Sequence, residues 1–162
     1  MSSPRRSGIG YDAHRFGKNR KLVLGGVEIP HARGLEGHSD ADVLAHAIAD
    51  ALLGAIGESD IGHHFPNTDE SIRGISSLEI LRGVSELLGR SNFRIANVDA
   101  TLIAEAPKIS PYLPAMRGKI AAALGIELTQ VGIKATTNEG MGAVGRGEGM
   151  VAMAVASVEP KE

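Results

Sequence analysis

Three residues of this chain could hold a metal ion between them: Asp12 and His14, two apart in the run YDAHRF, and His46 at the end of the run GHSDADVLAH. Two imidazoles, one carboxylate and an open fourth position make the donor set of a catalytic zinc rather than a closed structural one. The chain has no cysteine, so a metal must be held by imidazole and carboxylate, and disulfides are excluded. With six histidines, some pair at suitable spacing arises by chance, and a solvated polar helix face accounts for His46 as well. His38 and Ser39 add an imidazole and a hydroxyl at the start of a predicted helix, where free amides and the helix dipole attract phosphate. Ser39 acting only as a cap is the plainer account. From Lys134 to Glu148, Thr136 and Thr137 offer hydroxyls, Glu139 a carboxylate, and the glycines let backbone amides approach an anion closely. Carboxylate beside phosphate calls for a bridging divalent ion, most often magnesium. A glycine hairpin with a surface ion pair between Arg146 and Glu148 explains the same residues without a ligand. Between a predicted strand and helix, Ala104 to Ser110 gives a pocket rim with one cation, Lys108.

These residues need elements to position them. Ile9 to Phe16 reads as a strand that sets Asp12 and His14 on one side of a sheet. Lys21 to Leu24 and Val27 to Ile29 flank Gly25-Gly26, a two-residue hairpin turn, and Pro30 closes the second strand. With Ser39 as cap, a helix is predicted from about Asp40 to Gly54 or Gly57; Leu44, Ile48 and Leu52 recur every fourth residue, with Val43, Ala47, Ala51 and Ala55 beside them. Asp42, His46 and Asp50 form a second stripe, which sets the imidazole between two carboxylates one turn away on either side. Asp60 to Arg73 has loop chemistry. Ser76 and Glu79 form a capping-box pattern before a helix marked by Leu78, Leu81, Ser85 and Leu88 and ended by Gly89. Val98 to Ala104 alternates as a strand. Ser110 and Pro111 fit the cap and first position of a third helix, through Met116, Ile120 and Leu124 to Gly125. Val131 to Thr136 and Met150 to Val158 are strands; the segment between them, Thr137 to Gly149, is too glycine-rich for either helix or strand. The pattern predicts an α+β fold of two layers, a mixed sheet with three helices packed on one face. The other face would be left apolar, which argues for an oligomer.

The 162 residues make one domain, residues 8–160, behind a disordered leader of residues 1–7. Seventeen basic against nineteen acidic residues, with no basic run, argue against a nucleic-acid partner. Without a long apolar segment or a signal peptide, the chain is expected in the cytoplasm and off the membrane, or in a plastid if the leader is a processed remnant.

The runs YDAHRF, GHSDADVLAH, DIGHHFPNTD, IAEAPK and KATTNEG with GRGEG, in this order, resemble the 2-C-methyl-D-erythritol 2,4-cyclodiphosphate synthase family from Ile9 to Val158. The resemblance implies an enzyme of non-mevalonate isoprenoid synthesis, a homotrimer with active sites between subunits. It turns 4-diphosphocytidyl-2-C-methyl-D-erythritol 2-phosphate into the cyclic diphosphate and CMP. By the same likeness Asp12, His14 and His46 bind zinc, Glu139 binds magnesium, and His38 and Thr137 act on the transition state. Ser39 contacts the diphosphate. Asp60, Ile61 and Gly62, with Phe65, Pro66, Asn67, Thr68 and Asp69, hold the methylerythritol phosphate. Ala104, Glu105, Ala106, Pro107, Lys108, Ile109 and Ser110 cradle the cytidine, and Ala135, Thr136 and Asn138 its phosphates. Ala143 and Arg146 fall near the trimer axis, where members can hold an isoprenoid diphosphate. Asn67 and Ala143 depart from the family's usual acidic and large apolar residues. Association with an upstream pathway enzyme is a further implied partner.

Two other readings fit parts of the pattern. A phosphohydrolase could use the same zinc with Asp42 as its base, and a nucleotide-binding module could keep the cytidine pocket without turnover. Neither accounts for all the matching segments at once.

Overall fold

The computed structural model describes residues 4–162, and its centre is a strand lying under a helix with almost nothing between them. Strand β1 (Arg6–Gly17) sets Gly8, Gly10, Asp12 and His14 on its inner side. Helix α1 (Val43–Ala55) crosses that side with its small residues downward. A Cβ added at Gly10 would stand 1.8 Å from the Ala47 carbonyl oxygen, and one at Gly8 2.1 Å from that of Ala51. Only glycine admits this approach. The opposite side of α1 carries Leu44, Ile48, Leu52 and Leu53, all fully buried, each contributing roughly 1.5–3 kcal/mol of apolar burial.

Beyond β1 come β2 (Leu22–Leu24), β3 (Val27–Ile29) and β4 (Gly34–Leu35). The first two form the expected hairpin around Gly25 and Gly26, whose φ values of 55° and 74° suit a primed turn. After α1 come a single helical turn, α2 (Ile61–His64), and helix α3 (Ser77–Arg90). Strand β5 (Phe93–Ile103), helix α4 (Leu113–Leu124), strand β6 (Val131–Thr136), a turn of helix α5 (Gly142–Gly145) and strand β7 (Gly149–Pro160) complete the chain. The sheet order is β4-β1-β7-β5-β6; only β5 and β6 run parallel, so the sheet is mixed, as expected. On its inner side Ala152, Ala154 and Ala156 alternate with outward Met153 and Val155. The three long helices cover the inner side, which gives the two-layer α+β fold. Ile9, Tyr11, Met153 and Val155 remain exposed on the other.

Several boundaries differ from the sequence pattern. Arg6 and Ser7 pair with Val158 and Ser157, so the leader yields its last two residues to β1, and Met1 to Ser3 lie outside the described residues. Helix α1 starts at Val43 with Asp42, not Ser39, as its cap. The side chain of Asp42 reaches three amides at once: Ala45 at 3.1 Å, and Gly25 and Gly26 of the hairpin at 2.9 and 2.8 Å. Ser39 is too far back in the chain to serve that end. Around Pro111, residues Ser110–Tyr112 form a tighter helical turn, and α4 follows it with Pro114 near its start. The segments expected to lack helix, Asp60 to Arg73 and Thr137 to Gly149, each hold short turns: α2 capped by Asp60, a tight turn at Glu70–Ile72 capped by Asp69, and α5. Side-chain caps and local glycine geometry make such single turns without any apolar period to announce them.

The glycine contact can be tested directly. Gly10→Ala should lower unfolding stability by about 2–3 kcal/mol or more, because backbone rather than a flexible side chain must move. Gly118→Ala, in α4 with no neighbour within 4 Å of the new Cβ, should instead gain about 0.5–1 kcal/mol. Urea unfolding of both variants beside the wild type measures the difference.

Candidate active site

Along β1, Asp12 and His14 continue the row begun by Gly8 and Gly10, so the close packing that sets Ala47 over Gly10 sets His46 over Asp12. His14 Nε2 lies 2.9 Å from Asp12 Oδ2, His46 Nδ1 lies 3.1 Å from the same oxygen, and the two ring nitrogens are 3.3 Å apart. Donors bound to zinc at about 2.0–2.1 Å in tetrahedral geometry stand about 3.3 Å from one another. The triangle is therefore the size of a metal's ligand face, and these three residues are the group able to hold an ion among the described residues.

The neighbours orient these three side chains. His14 Nδ1 lies 2.6 Å from the Glu36 carbonyl oxygen, to which it donates, so Nε2 faces the triangle. Arg20 donates to the carbonyls of Gly37 at 3.0 Å and Ser39 at 2.9 Å, fixing the loop that carries His38 and Ser39. Inside that loop Ala41, fully buried, takes a φ of 56°, a left-handed conformation that costs a non-glycine residue about 1–2 kcal/mol. The surrounding contacts hold the strain. His46 is almost wholly buried; its Nε2 lies 2.8 Å from Ser77 Oγ and 3.2 Å from Ser39 Oγ.

The stripe of Asp42, His46 and Asp50 behaves differently from the pattern's suggestion. Neither carboxylate touches the imidazole: Asp42 serves the hairpin, and Asp50 accepts from the Ile61 amide at 2.9 Å, tying α2 to α1. Asp42 is fully enclosed, and burial together with the charge of Asp40 pushes its pKa up to about 6 against the pull of its three amides. A group so enclosed does not line the cavity over the triangle, where a water would have to be activated. It cannot be the base that a hydrolase would need.

A cavity of about 390 Å³ opens over the triangle. His38, Ser39, Ile61, Gly62, Phe65 and Asn67 line it, with Ile72, Ile75 and Ile80 as its apolar wall. His38 Nε2 lies 3.3 Å from the Asp69 carbonyl oxygen. Four of the residues expected here are not among its lining. Asp60 caps α2, Pro66 and Thr68 sit in the following turn, and the Asp69 carboxylate accepts from the amide and hydroxyl of Ser71, which lowers its pKa.

A second cavity, about 240 Å³, is lined by Ala104, Glu105, Pro107, Lys108, Ile109, Ser110, Ala135, Thr136 and Thr137. Ala106 lies in the same loop, and Ile109 is largely core. Glu105 Oε1 accepts from the Asn138 amide at 3.2 Å and the Gly140 amide at 2.9 Å, clamping the loop that presents Glu139, itself at a φ of 52°. Ala13 pairs with Val151, Val151 with Ile103 and Ile103 with Thr136. The two cavities thus sit at one end of the sheet, three strand spacings or about 14 Å apart, and share no residue. Ala143 lines a groove on the open face with Tyr11 and Arg15, and Arg146 pairs with Glu148 at 2.9 Å. The sequence pattern missed Arg20, Asp40 and Ser77. Only Asp40, beside Ser39 in the SDAD run, carried a local signal.

A family model described as the YgbB family matches residues 5–159. A 2-C-methyl-D-erythritol 2,4-cyclodiphosphate synthase of Alkaliphilus metalliredigens is 59% identical over 153 residues, covering 94% of this chain and 96% of that protein. One of Chlorobium phaeobacteroides is 56% identical over 156 residues, 96% and 99% of the two chains. The chain belongs to this synthase family. Its fold matches the bifunctional IspDF of Campylobacter jejuni at a TM-score of 0.94 and 38% identity, over 98% of this chain and 43% of that one. It matches the IspF–CDP complex of Plasmodium falciparum at 0.86 and 33%, over the whole of both chains.

The electrostatics of the triangle set how a synthase of this family should take up metal. Burial works against ionised Asp12, but hydrogen bonds and charge from His14 and His46 outweigh it and hold its pKa at about 2. Burial also works against charged His14, yet Asp12 and the Glu36 carbonyl raise its pKa above 6.5. Metal must therefore displace a proton from His14. Affinity is full above the raised pKa and falls as pH drops through it, while Asp12 stays ionised. Chelator competition from about pH 8 to about pH 5 should show that loss, and calorimetry in buffers of different ionisation enthalpy should show proton release on binding.

Proposed function

We propose that the chain carries out the cyclisation that names its family: 4-diphosphocytidyl-2-C-methyl-D-erythritol 2-phosphate to 2-C-methyl-D-erythritol 2,4-cyclodiphosphate and CMP, in non-mevalonate isoprenoid synthesis. The observation that carries this reading is the triangle of Asp12, His14 and His46 opening into one cavity with His38 and Ser39. An oxygen of the 2-phosphate forms a bond to the β phosphorus, the bond from that phosphorus to the bridging oxygen breaks, and CMP leaves with that oxygen. A phosphate oxyanion needs no base to attack, so the protein's work is alignment and charge. No nucleophilic side chain is required, and the enclosed Asp42 fits a site that does not activate water.

Zinc on Asp12, His14 and His46, and magnesium on Glu139 with substrate phosphates and water completing its shell, would supply positive charge for the phosphates. His38 and Ser39 sit where an imidazole and a hydroxyl can donate to the diphosphate. Phe65, Ile61 and the isoleucine wall exclude water and fold the methylerythritol arm back, and Asn67 offers it an amide. Lys108 and the backbone from Ala104 to Ser110 form the bed for cytidine, with Ala135, Thr136, Thr137 and Asn138 beside its phosphates. Thr137 is assigned to the transition state together with His38. A relative caught with CDP supports a cytidine site of this kind.

One chain holds the two halves of such a site about 14 Å apart across its strands. The open face with Ile9, Tyr11, Met153 and Val155 is exposed, and three copies meeting there would bring the metal cavity of one against the cytidine bed of the next. The homotrimer is our reading of that face. The Campylobacter jejuni relative is bifunctional, which supports association with another enzyme of the pathway. The bacterial relatives favour the cytoplasm, and no helix among the described residues is long and apolar enough to cross a membrane.

Phosphorus NMR with this substrate, zinc and magnesium tests the reading. Two coupled resonances of a cyclic diphosphate should grow in with CMP, and His46→Ala should abolish them; inorganic phosphate as the product would favour hydrolysis instead. Shared sites make a separate prediction. Chains carrying His46→Ala and chains carrying Glu139→Gln, each inactive alone, should regain about a quarter of wild-type activity when co-assembled at random. If each chain held a complete site, the mixture would stay inactive.

A further inference from the structure

We infer that Ser77 and Asp40 form a two-residue relay that fixes the tautomer of His46 and so makes it a metal ligand. The inference rests on the metal-site reading above and not on the choice of substrate. Ser77 is the first residue of α3 and is fully buried, far from the metal-binding runs in sequence. Its hydroxyl donates to Asp40 Oδ1 and lies 2.8 Å from His46 Nε2. Asp40 is held from two further sides: Oδ2 accepts from the Ser77 amide at 2.9 Å, and Oδ1 from the Asp42 amide at 3.2 Å.

For a neutral imidazole the proton logic leaves one arrangement. A carboxylate only accepts, so the single hydroxyl proton of Ser77 goes to Asp40. Ser77 Oγ must then accept from His46, which places the ring proton on Nε2. Nδ1 is left with its lone pair, and Nδ1 is the nitrogen 3.1 Å from Asp12 and 3.3 Å from His14 Nε2. His14 reaches the same state by donating Nδ1–H to the Glu36 carbonyl. Once a cation has displaced the proton held between His14 and Asp12, three lone pairs converge on its position. Ser39 is freed as well. Its oxygen takes the Ala41 amide at 3.1 Å and shares the Nε2 proton at 3.2 Å, so its own hydrogen is available to the cavity.

Ser77 and Asp40 are thus positioning residues. A purely structural role, capping α3 and bracing the loop, would leave the imidazole tautomer untouched. The test is nitrogen-15 NMR of imidazole-labelled protein, metal-free, with His46 assigned by its loss in His46→Ala. Wild type should show His46 protonated at Nε2. Ser77→Ala should give a tautomer mixture and weaken zinc binding by about 10- to 100-fold in chelator competition. Asp40→Ala goes further: with no acceptor at that place, the Ser77 hydroxyl proton can turn to His46 Nε2 and drive the ring proton onto Nδ1, the metal-facing atom. That variant should show the reversed tautomer and a loss of zinc affinity at least as large. Thermal unfolding of the metal-free proteins identifies a variant that fails to fold, and the wild-type spectrum decides in that case. Wild-type His46 protonated at Nδ1, or folded variants with the Nε2 tautomer and zinc affinity within about twofold of wild type, would overturn the relay. Because none of these readouts uses turnover, a failed relay and a failed cyclase assignment remain distinguishable.

Discussion

Everything at the candidate site depends on how closely α1 lies on β1. Two glycines remove the Cβ layer that normally separates helix from sheet, and the alanines at positions 47, 51 and 55 do the same from above. The result is a short, stiff lever: the backbone of the helix fixes His46, the backbone of the strand fixes Asp12 and His14, and no flexible side chain intervenes. Metal ligands must be placed to within a few tenths of an ångström. Regular elements in direct backbone contact do this better than loops.

Carboxylates, Asp42 buried and Asp40 and Asp50 half-buried, extend the same rigidity outward. Asp42 binds the hairpin to the start of α1, Asp50 binds α2 to its end, and Asp40 joins the loop before α1 to the start of α3. Each takes up amides that would otherwise lack partners, which offsets the cost of enclosing a charge. Three acidic residues lie on or just before α1, yet only Asp12, on the strand beside it, faces the metal position. The acidic character of the run says that chemistry is near. It does not say which carboxylate performs it.

Three strands across the same end of the sheet, the second cavity is built largely on loop segments, in keeping with a nucleotide rather than a metal. Glu105 clamps the loop after β6 through two amides, and Glu139 is held outward in a left-handed conformation. These groups present backbone and one free carboxylate, and a ligand's phosphates would complete the set. Two half-sites on one chain, and an apolar sheet face between the copies that would join them, make assembly part of the catalytic design proposed above.

Strand, hairpin and helix were legible in the sequence wherever local chemistry decides structure: the Gly25-Gly26 turn, the four-residue period of Leu44, Ile48 and Leu52, the Ser76 cap, and the alternation along β5 and β7. The grouping of Asp12, His14 and His46 was legible too, through the family resemblance of their runs more than through residue type and spacing, which chance or a solvated helix face would also explain. Tertiary structure alone decided the rest. The true cap of α1 is Asp42 because a hairpin seventeen residues away supplies two of its three amides; Asp42 is therefore no base, and the polar stripe of α1 is no solvated face. Ser77 reaches His46 across thirty-one residues, and Arg20 grips a loop nineteen residues on. Hydrogen bonds between distant segments leave no periodic trace in either segment, so only the folded chain could reveal what holds the ligands in place.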